Sequence, residues 1–136
     1  AEDFKAQHPD KQYDIVIDAI DMVDCKALLL YNATQAGCRV YSSMGAGRKT
    51  DPQKIRTAEF WKVQGCPLAR ALRTKMKKAG LIPASKIQCV YSEEISGEQG
   101  TLAPVVGAFG MTLASLVINQ IAISPGRPAV RQSNEG

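Results

Sequence analysis

Two aspartates near the start of the chain have the residue type and spacing of a nucleotide or magnesium site. Residues 13–17 form a short β-branched run that predicts a buried strand, and Asp18 and Asp21 follow it directly. Ligands of open parallel sheets bind at the carboxyl ends of strands, where a carboxylate can hold Mg²⁺ on nucleotide phosphates. Asp is also a preferred helix N-cap residue. Asp21 is therefore predicted either to bind such a ligand or to cap the next helix.

A glycine-containing loop, residues 45–50, lies further along the chain and invites comparison with phosphate-binding loops. A Walker A motif needs Gly immediately before Lys, where this chain has Arg48, and a dinucleotide loop needs a third Gly where it has Thr50. Neither motif is present. The glycines still allow close approach of the backbone to a ligand, or an ordinary turn after a strand.

A basic helix is predicted over residues 67–79, because Pro67 can begin it, Gly80 can end it, and apolar residues recur every four positions. Its polar face could bind RNA phosphates or could simply be solvated. That face carries the basic residues Arg70, Arg73, Lys75, Lys77 and Lys78. Cys66 precedes the helix, where a helix dipole lowers a thiol pKa, but the only histidine is His8, so a nucleophilic Cys66 is discounted.

The elements that must position these residues alternate between strands and helices. A helix over residues 22–36 and strands over residues 38–41 and 87–91 accompany the first strand. Residues 55–63 are a candidate for a further strand, although their apolar spacing is ambiguous. A strand, a helix and a second strand make a crossover unit with parallel strands. The pattern predicts an α/β fold.

The last apolar stretch, residues 105–123, carries no formal charge and is long enough to span a membrane. Its Gly, Asn and Gln residues equally fit a helix packed on a sheet face. We expect a core helix, and membrane association is not the preferred interpretation.

Composition limits the remaining possibilities. The chain has 136 residues, which fits one domain, and a net charge of +4, which permits a polyanionic partner without demanding one. The four cysteines form no C-x-x-C pair, so no zinc site is expected. No secretory signal opens the chain, so each thiol is interpreted as a reduced, small buried hydrophobe of a cytoplasmic protein. Residues 1–12 are expected to be irregular, 13–124 to form the domain, and 125–136 to be disordered.

Four segments in order resemble the ThiF/MoeB/HesA superfamily of ubiquitin-activating-enzyme-like adenylating proteins. Within it, the segments are most similar to tRNA threonylcarbamoyladenosine dehydratases. They are Tyr13-Asp14-Ile15-Val16-Ile17-Asp18-Ala19-Ile20-Asp21, Ser43-Met44-Gly45-Ala46-Gly47, Cys66-Pro67-Leu68-Ala69-Arg70-Ala71-Leu72-Arg73 and Val90-Tyr91-Ser92-Glu93-Glu94.

The resemblance implies an enzyme that uses ATP to adenylate a carboxylate, and in the dehydratases the activated threonylcarbamoyl group cyclises on a tRNA adenosine. It implies that Asp21 lies near Mg²⁺ and ATP, with Asp18 a weaker candidate for the same role. Arg70, Arg73 and Lys77 become candidate tRNA contacts. A homodimer or higher oligomer is expected, and no catalytic residue is assigned.

Several segments of the family pattern are missing from this chain, and they indicate which part of the family fold the chain forms. The family's nucleotide loop, ribose-binding acid and phosphate-binding Arg and Lys precede the D-A-I-D strand, where this chain has only twelve residues. The chain is therefore expected to form the C-terminal half of a Rossmann-like, doubly wound, mostly parallel sheet with flanking helices, and to be inactive alone. Two alternatives stay open. One is activation of the C-terminal glycine of a ubiquitin-like sulfur carrier, although relatives of that kind generally carry paired C-x-x-C motifs, and the other is a non-catalytic interaction domain.

Overall fold

The described part of the chain contains four strands and three long helices. A computed structural model describes residues 13–95 and 100–123. The elements in chain order are β1 (Ile15–Asp18), α1 (Val23–Gln35), β2 (Arg39–Ser43), β3 (Ile55–Glu59), α2 (Pro67–Ala79), β4 (Ile87–Ser92) and α3 (Ala103–Ile123). Single 3₁₀ turns, Pro52–Lys54 and Phe60–Lys62, flank β3. The predicted irregular start and disordered tail lie outside the described residues.

The strands form one mixed sheet in the order β1-β2-β4-β3. β1, β2 and β4 are parallel, and β3 is antiparallel to β4. The predicted α/β fold with a mostly parallel sheet is confirmed. Only the first part of segment 55–63 is a strand, because the Glu59 side chain accepts a hydrogen bond from Trp61 N at 3.0 Å and begins a turn there. Among the described residues, β1 is an edge strand that pairs on one side only.

Helices cover both faces of the sheet. α1 and α2 pack on one face through small and aliphatic side chains, and α3 packs on the other face against Tyr41 and Val90. The buried residues of α1 and α2 include Ala27, Leu30, Ala33, Ala69, Leu72 and Met76. Those of α3 are Val105, Phe109, Leu113 and Val117, which recur every fourth position and so form one stripe on the helix.

Most of the surface of α3 is exposed. The prediction that this segment packs on the sheet is correct, but the contact is limited to the buried stripe, since Met111 is 77% exposed and Ile118 is 63% exposed. A four-stranded sheet offers only one stripe of contact to a 21-residue helix. By length and composition α3 is also a candidate membrane span.

Candidate functional site

Three separate loops lie together where the three parallel strands end, and we call this side of the sheet its carboxyl edge. The loop after β1 carries Asp21, the loop after β2 carries Gly45 and Gly47, and the chain after β4 carries Glu94. The start of α2 adjoins them, because a Cβ added at Gly45 would lie 3.6 Å from Leu68 Cβ. This edge is where ligands of open α/β sheets bind, so we take it as the candidate site.

Asp21 is exposed and does not cap α1. The helix begins at Val23, and its N-cap position is Met22, which makes no side-chain cap hydrogen bond. The capping interpretation of Asp21 is therefore wrong, because Asp21 lies one residue before the N-cap. Within the described part of the chain, the Asp21 carboxylate has no hydrogen bond or ion pair. It is available to a ligand.

Asp18 lies in a buried ion pair and is 1% exposed. Its carboxylate lies 2.6 Å from Lys26 Nζ and accepts hydrogen bonds from Ser42 Oγ at 2.5 Å and Ile20 N at 3.1 Å. Because these three donors occupy both oxygens, the structure gives Asp18 a packing role in place of the weaker ligand role that the sequence suggested.

Lys26 was missed by sequence reasoning. Its ammonium also donates to the backbone oxygens of Ile20 at 3.0 Å and Ser43 at 2.7 Å. A signal was present, because Lys26 stands beside Ala27 and one helical turn before Leu30, on the face of the helix that the apolar pattern places inside.

Glu94, like Lys26, lies at the candidate site and was not predicted from the sequence to have a role there. Its carboxylate accepts hydrogen bonds from Thr50 Oγ1 at 2.6 Å and from the backbone N–H groups of Thr50 and Asp51, each at 2.9 Å. These bonds, the Thr50 hydroxyl first, stabilise the ionised form and lower the pKa of Glu94 to about 2. Lys49 donates to the backbone oxygen of Glu94. Glu94 thus fastens the end of the glycine-containing loop to the chain after β4.

The glycine-containing loop has an irregular backbone, and a second contact, to Gly100, holds it in place. Arg48 has a φ of 64°, a left-handed conformation that is uncommon for a residue other than glycine. Its N–H donates to Gly100 O at 2.8 Å, so the loop is tied to the segment before α3. Lys49, the residue that a Walker A comparison would select, is buried and bonded to Glu94. Its ammonium is therefore already used in a contact within the protein.

Three of the four cysteines are buried, as expected, but Cys25 is exposed. Cys25 lies on the outer face of α1, so the burial prediction is wrong for it. Cys66 is the N-cap of α2, where its sulfur accepts a hydrogen bond from Ala69 N at 3.5 Å. This capping contact gives Cys66 a structural role.

The described residues contain no group of three or more His, Cys, Asp or Glu side chains that could hold a metal ion. Mg²⁺ does not require such a cage, because one or two carboxylates with phosphate oxygens and water satisfy it. The free carboxylate of Asp21, at an edge where backbone loops converge, fits a magnesium–nucleotide complex of that kind.

The three basic side chains of α2 that are candidate tRNA contacts have different surroundings. Arg73 Nη1 donates to the backbone oxygens of Phe60 at 2.9 Å and Val63 at 2.8 Å, so this side chain holds the turn after β3. Lys77 Nζ lies 5.4 Å from the centre of the Trp61 ring. Arg70 is exposed and lines a groove of about 680 Å³ together with Pro67, Ala71, Thr74, Lys75, Lys78 and Ala79. Of the three candidate tRNA contacts, Arg70 and Lys77 remain accessible.

Comparison with known proteins identifies relatives for this fold and these motifs. tRNA threonylcarbamoyladenosine dehydratase 2 of Saccharomyces cerevisiae is 42% identical over 81 residues, which are 60% of this chain and 18% of the yeast protein. The tRNA threonylcarbamoyladenosine dehydratase of Bacillus subtilis is 36% identical over 81 residues, which are 60% of this chain and 31% of the Bacillus protein. No protein-family model matches the chain.

Solved structures of the E. coli tRNA N6-threonylcarbamoyladenosine dehydratase share the fold. The ATP complex gives a TM-score of 0.74 at 27% identity and covers 91% of this chain and 56% of the E. coli chain. The AMP complex gives a TM-score of 0.76 at 25% identity and covers 89% of this chain and 52% of the E. coli chain. The chain therefore spans about half the length of the structure it matches, and less of the curated relatives. The predicted resemblance to the ThiF/MoeB/HesA superfamily, and within it to the dehydratases, is confirmed.

Proposed function

We propose, from the ThiF/MoeB/HesA fold and motifs that this chain carries, that it forms one side of an ATP-dependent adenylation site and serves the cyclisation of threonylcarbamoyladenosine in tRNA. The observation that carries the proposal is the free, exposed carboxylate of Asp21 at the carboxyl edge of the sheet. It occurs in a chain whose structural relatives were solved with ATP and AMP.

Asp21 is the residue of this chain that we assign to Mg²⁺ on the nucleotide. ATP supplies an activated phosphorus, on which a carboxylate oxygen displaces pyrophosphate and so acquires a good leaving group. The Gly45–Gly47 loop, at the same edge of the sheet as Asp21, presents backbone with little side-chain bulk. Its start is fastened by the Met44 N–H, which donates to Val90 O, and its end by Gly100 and Glu94. A fixed loop keeps its backbone groups in place without reorganisation, as electrostatic stabilisation of a phosphate requires.

The nucleotide loop and phosphate-binding cations of the superfamily have no counterpart in these 136 residues. A complete site therefore needs residues beyond this chain, supplied by the same polypeptide or by another. Among the described strands β1 pairs only with β2, and its other side is where strands from such residues would continue the sheet.

tRNA is the proposed partner, with Arg70 and Lys77 as phosphate contacts. α2 begins at the candidate site, so a nucleic acid lying along its exposed basic face would reach the carboxyl edge of the sheet. A cytoplasmic location, inferred from the reduced thiols, fits an enzyme that acts on tRNA.

The experiment compares tRNA from a strain lacking the gene with tRNA from the parent strain by nucleoside mass spectrometry. We expect loss of the cyclic form of the modified adenosine, with accumulation of the open threonylcarbamoyl form. Re-expression of the complete encoded protein should restore the cyclic form, and re-expression of its D21N variant should not. Unchanged cyclic nucleoside in the deletion strain would overturn the proposal and favour a sulfur-carrier substrate or a non-catalytic interaction domain.

A further inference from the structure

The Lys26 side chain is fully buried and each of its ammonium protons has a partner. Nζ lies 2.6 Å from the Asp18 carboxylate, 3.0 Å from Ile20 O and 2.7 Å from Ser43 O, and Lys26 is 0% exposed. An ammonium has three donors, so these three oxygens satisfy it completely. A buried charge is tolerated only when it is paired and hydrogen-bonded in this way.

The three oxygens lie at the ends of β1 and β2 and in the loop after β1, where the chain enters the two loops of the candidate site. Asp18 ends β1 and Ile20 directly precedes Asp21, whereas Ser43 ends β2 and leads into Gly45. Lys26 itself belongs to the first turns of α1. One ammonium therefore joins the Asp21 loop, the glycine-containing loop and the helix that follows Asp21.

We infer that Lys26 is a positioning residue, which holds the Asp21 carboxylate at a fixed place beside the Gly45–Gly47 loop. The inference deepens the proposed function and rests on it, because the position of Asp21 matters only if Asp21 contacts Mg²⁺ and ATP. Lys26 itself touches neither ligand, since its three donors are already occupied.

Fold stability alone gives a weaker account of this lysine. Replacement of buried ion pairs by apolar residues of similar volume is often neutral or stabilising, so packing does not require a charge here. An apolar side chain at position 26 would, however, leave Ile20 O and Ser43 O without the donor that joins them. The feature that only the lysine provides is the link between the two loops.

Ser42 offers a matched control. Its hydroxyl donates to the same Asp18 carboxylate at 2.5 Å but bonds to neither Ile20 O nor Ser43 O. Ser42→Ala therefore disturbs the buried network and leaves the link between the loops intact. The test variant is the double substitution Asp18→Asn with Lys26→Met, which removes the link and leaves no unpaired buried charge.

Two measurements on the complete encoded protein test the inference. The first is amide hydrogen exchange without ATP in residues 19–22 and 43–47, where we expect the double variant to exchange at least about tenfold faster and S42A to resemble the wild type. The second is the Kd for Mg-ATP, which should rise about tenfold in the double variant, as for other groups that orient a metal ligand, and by less than about threefold in S42A.

The outcomes separate the inference from the proposed function. Wild-type exchange rates or wild-type ATP affinity in the double variant would overturn the positioning role alone. Absence of ATP binding by the wild-type protein would overturn the proposed function and this inference with it. If the double variant does not fold, ¹⁵N-edited spectra of the wild type decide. The Lys26 ammonium protons should exchange at least about tenfold more slowly than those of exposed Lys78, and equal rates would overturn the inference.

Discussion

The hydroxyl of Thr50 donates a 2.6 Å hydrogen bond to the carboxylate of Glu94, a residue 44 positions away in the chain. Two backbone N–H groups, of Thr50 and Asp51, complete the contact. Because all three donors favour the charged carboxylate, ionisation of Glu94 strengthens this contact to the glycine-containing loop.

Stability should therefore fall on acidification through this contact. The pKa of Glu94 is about 2 in the folded protein and 4.5 for an unperturbed glutamate, so ionisation stabilises the fold fully above pH 4.5 and this stabilisation is lost as the pH falls towards 2. The free energy of unfolding, measured by urea denaturation between pH 7 and pH 2, should decrease less steeply in E94Q than in the wild type. Identical slopes would show that Glu94 does not make this contact in solution.

Asp21→Asn should impair nucleotide chemistry without affecting the fold. The carboxylate is exposed and makes no contact within the described residues, so the free energy of unfolding should change by less than about 0.5 kcal/mol. In the complete encoded protein, ATP–pyrophosphate exchange should fall at least about tenfold, because an amide cannot hold Mg²⁺ as a charged ligand. Wild-type exchange activity in D21N would remove Asp21 from the ATP site.

The 136-residue chain alone should bind Mg-ATP poorly. Among the described residues the site has one free carboxylate, that of Asp21, which supplies a single magnesium contact, and the sequence contains no phosphate-binding glycine motif. Titration calorimetry with Mg-ATP should give no saturable heat at micromolar protein concentration. A one-to-one isotherm with a low-micromolar Kd would contradict the prediction and show that this half of the fold is sufficient.

Local signals explain why some elements were predictable from the sequence. Pro67 and Gly80 mark both ends of α2, and Gly80 indeed adopts the left-handed conformation, with a φ of 67°, that a helix end requires of glycine. The start of α1 was predicted less well, because its N-cap Met22 makes no side-chain cap contact that a sequence could signal.

The site contacts depend on pairs that lie far apart in the sequence. Lys26 bonds to Ser43 across 17 positions, and Glu94 bonds to Thr50 across 44 positions. Nothing in a single sequence couples such residues, since their proximity follows from the parallel order of β1, β2 and β4. The position of Asp21 could be predicted because it depends only on where β1 ends, whereas the burial of Asp18 depends on Lys26.

Arg70 and Arg73 lie on one helix but should respond differently to substitution. Arg70 is exposed in the groove, so R70A should weaken binding of unmodified tRNA and reduce the slope of log K against log salt by about 1, with stability unchanged. Arg73 holds Phe60 O and Val63 O, so R73A should lower the free energy of unfolding by about 1–3 kcal/mol.

Filter binding over a range of salt concentrations measures the effect on tRNA affinity, and urea denaturation measures the effect on stability. Together they distinguish the roles of the two arginines. Lys86, which is exposed and lies outside α2, provides the control for nonspecific charge, since K86A should alter neither stability nor binding beyond the general loss of one charge. Loss of tRNA affinity in K86A equal to that in R70A would show that α2 has no specific role in RNA binding.

We expect the chain to associate with itself through one of two surfaces: the side of β1 that pairs with no described strand, or the exposed side of α3. Among the described residues β1 is an edge strand, and its Ile17 is 54% exposed. An edge strand presents a row of backbone donors and acceptors, and natural proteins seldom leave such an edge uncovered. α3 adds exposed apolar side chains such as Met111 and Ile118.

We predict a homodimer or higher oligomer, and sedimentation equilibrium at micromolar concentration should give a mass of at least twice 14.7 kDa. Val16→Lys should weaken association if β1 forms the contact, and Met111→Lys should do so if α3 forms it. A monomer of 14.7 kDa would show that neither surface drives self-association.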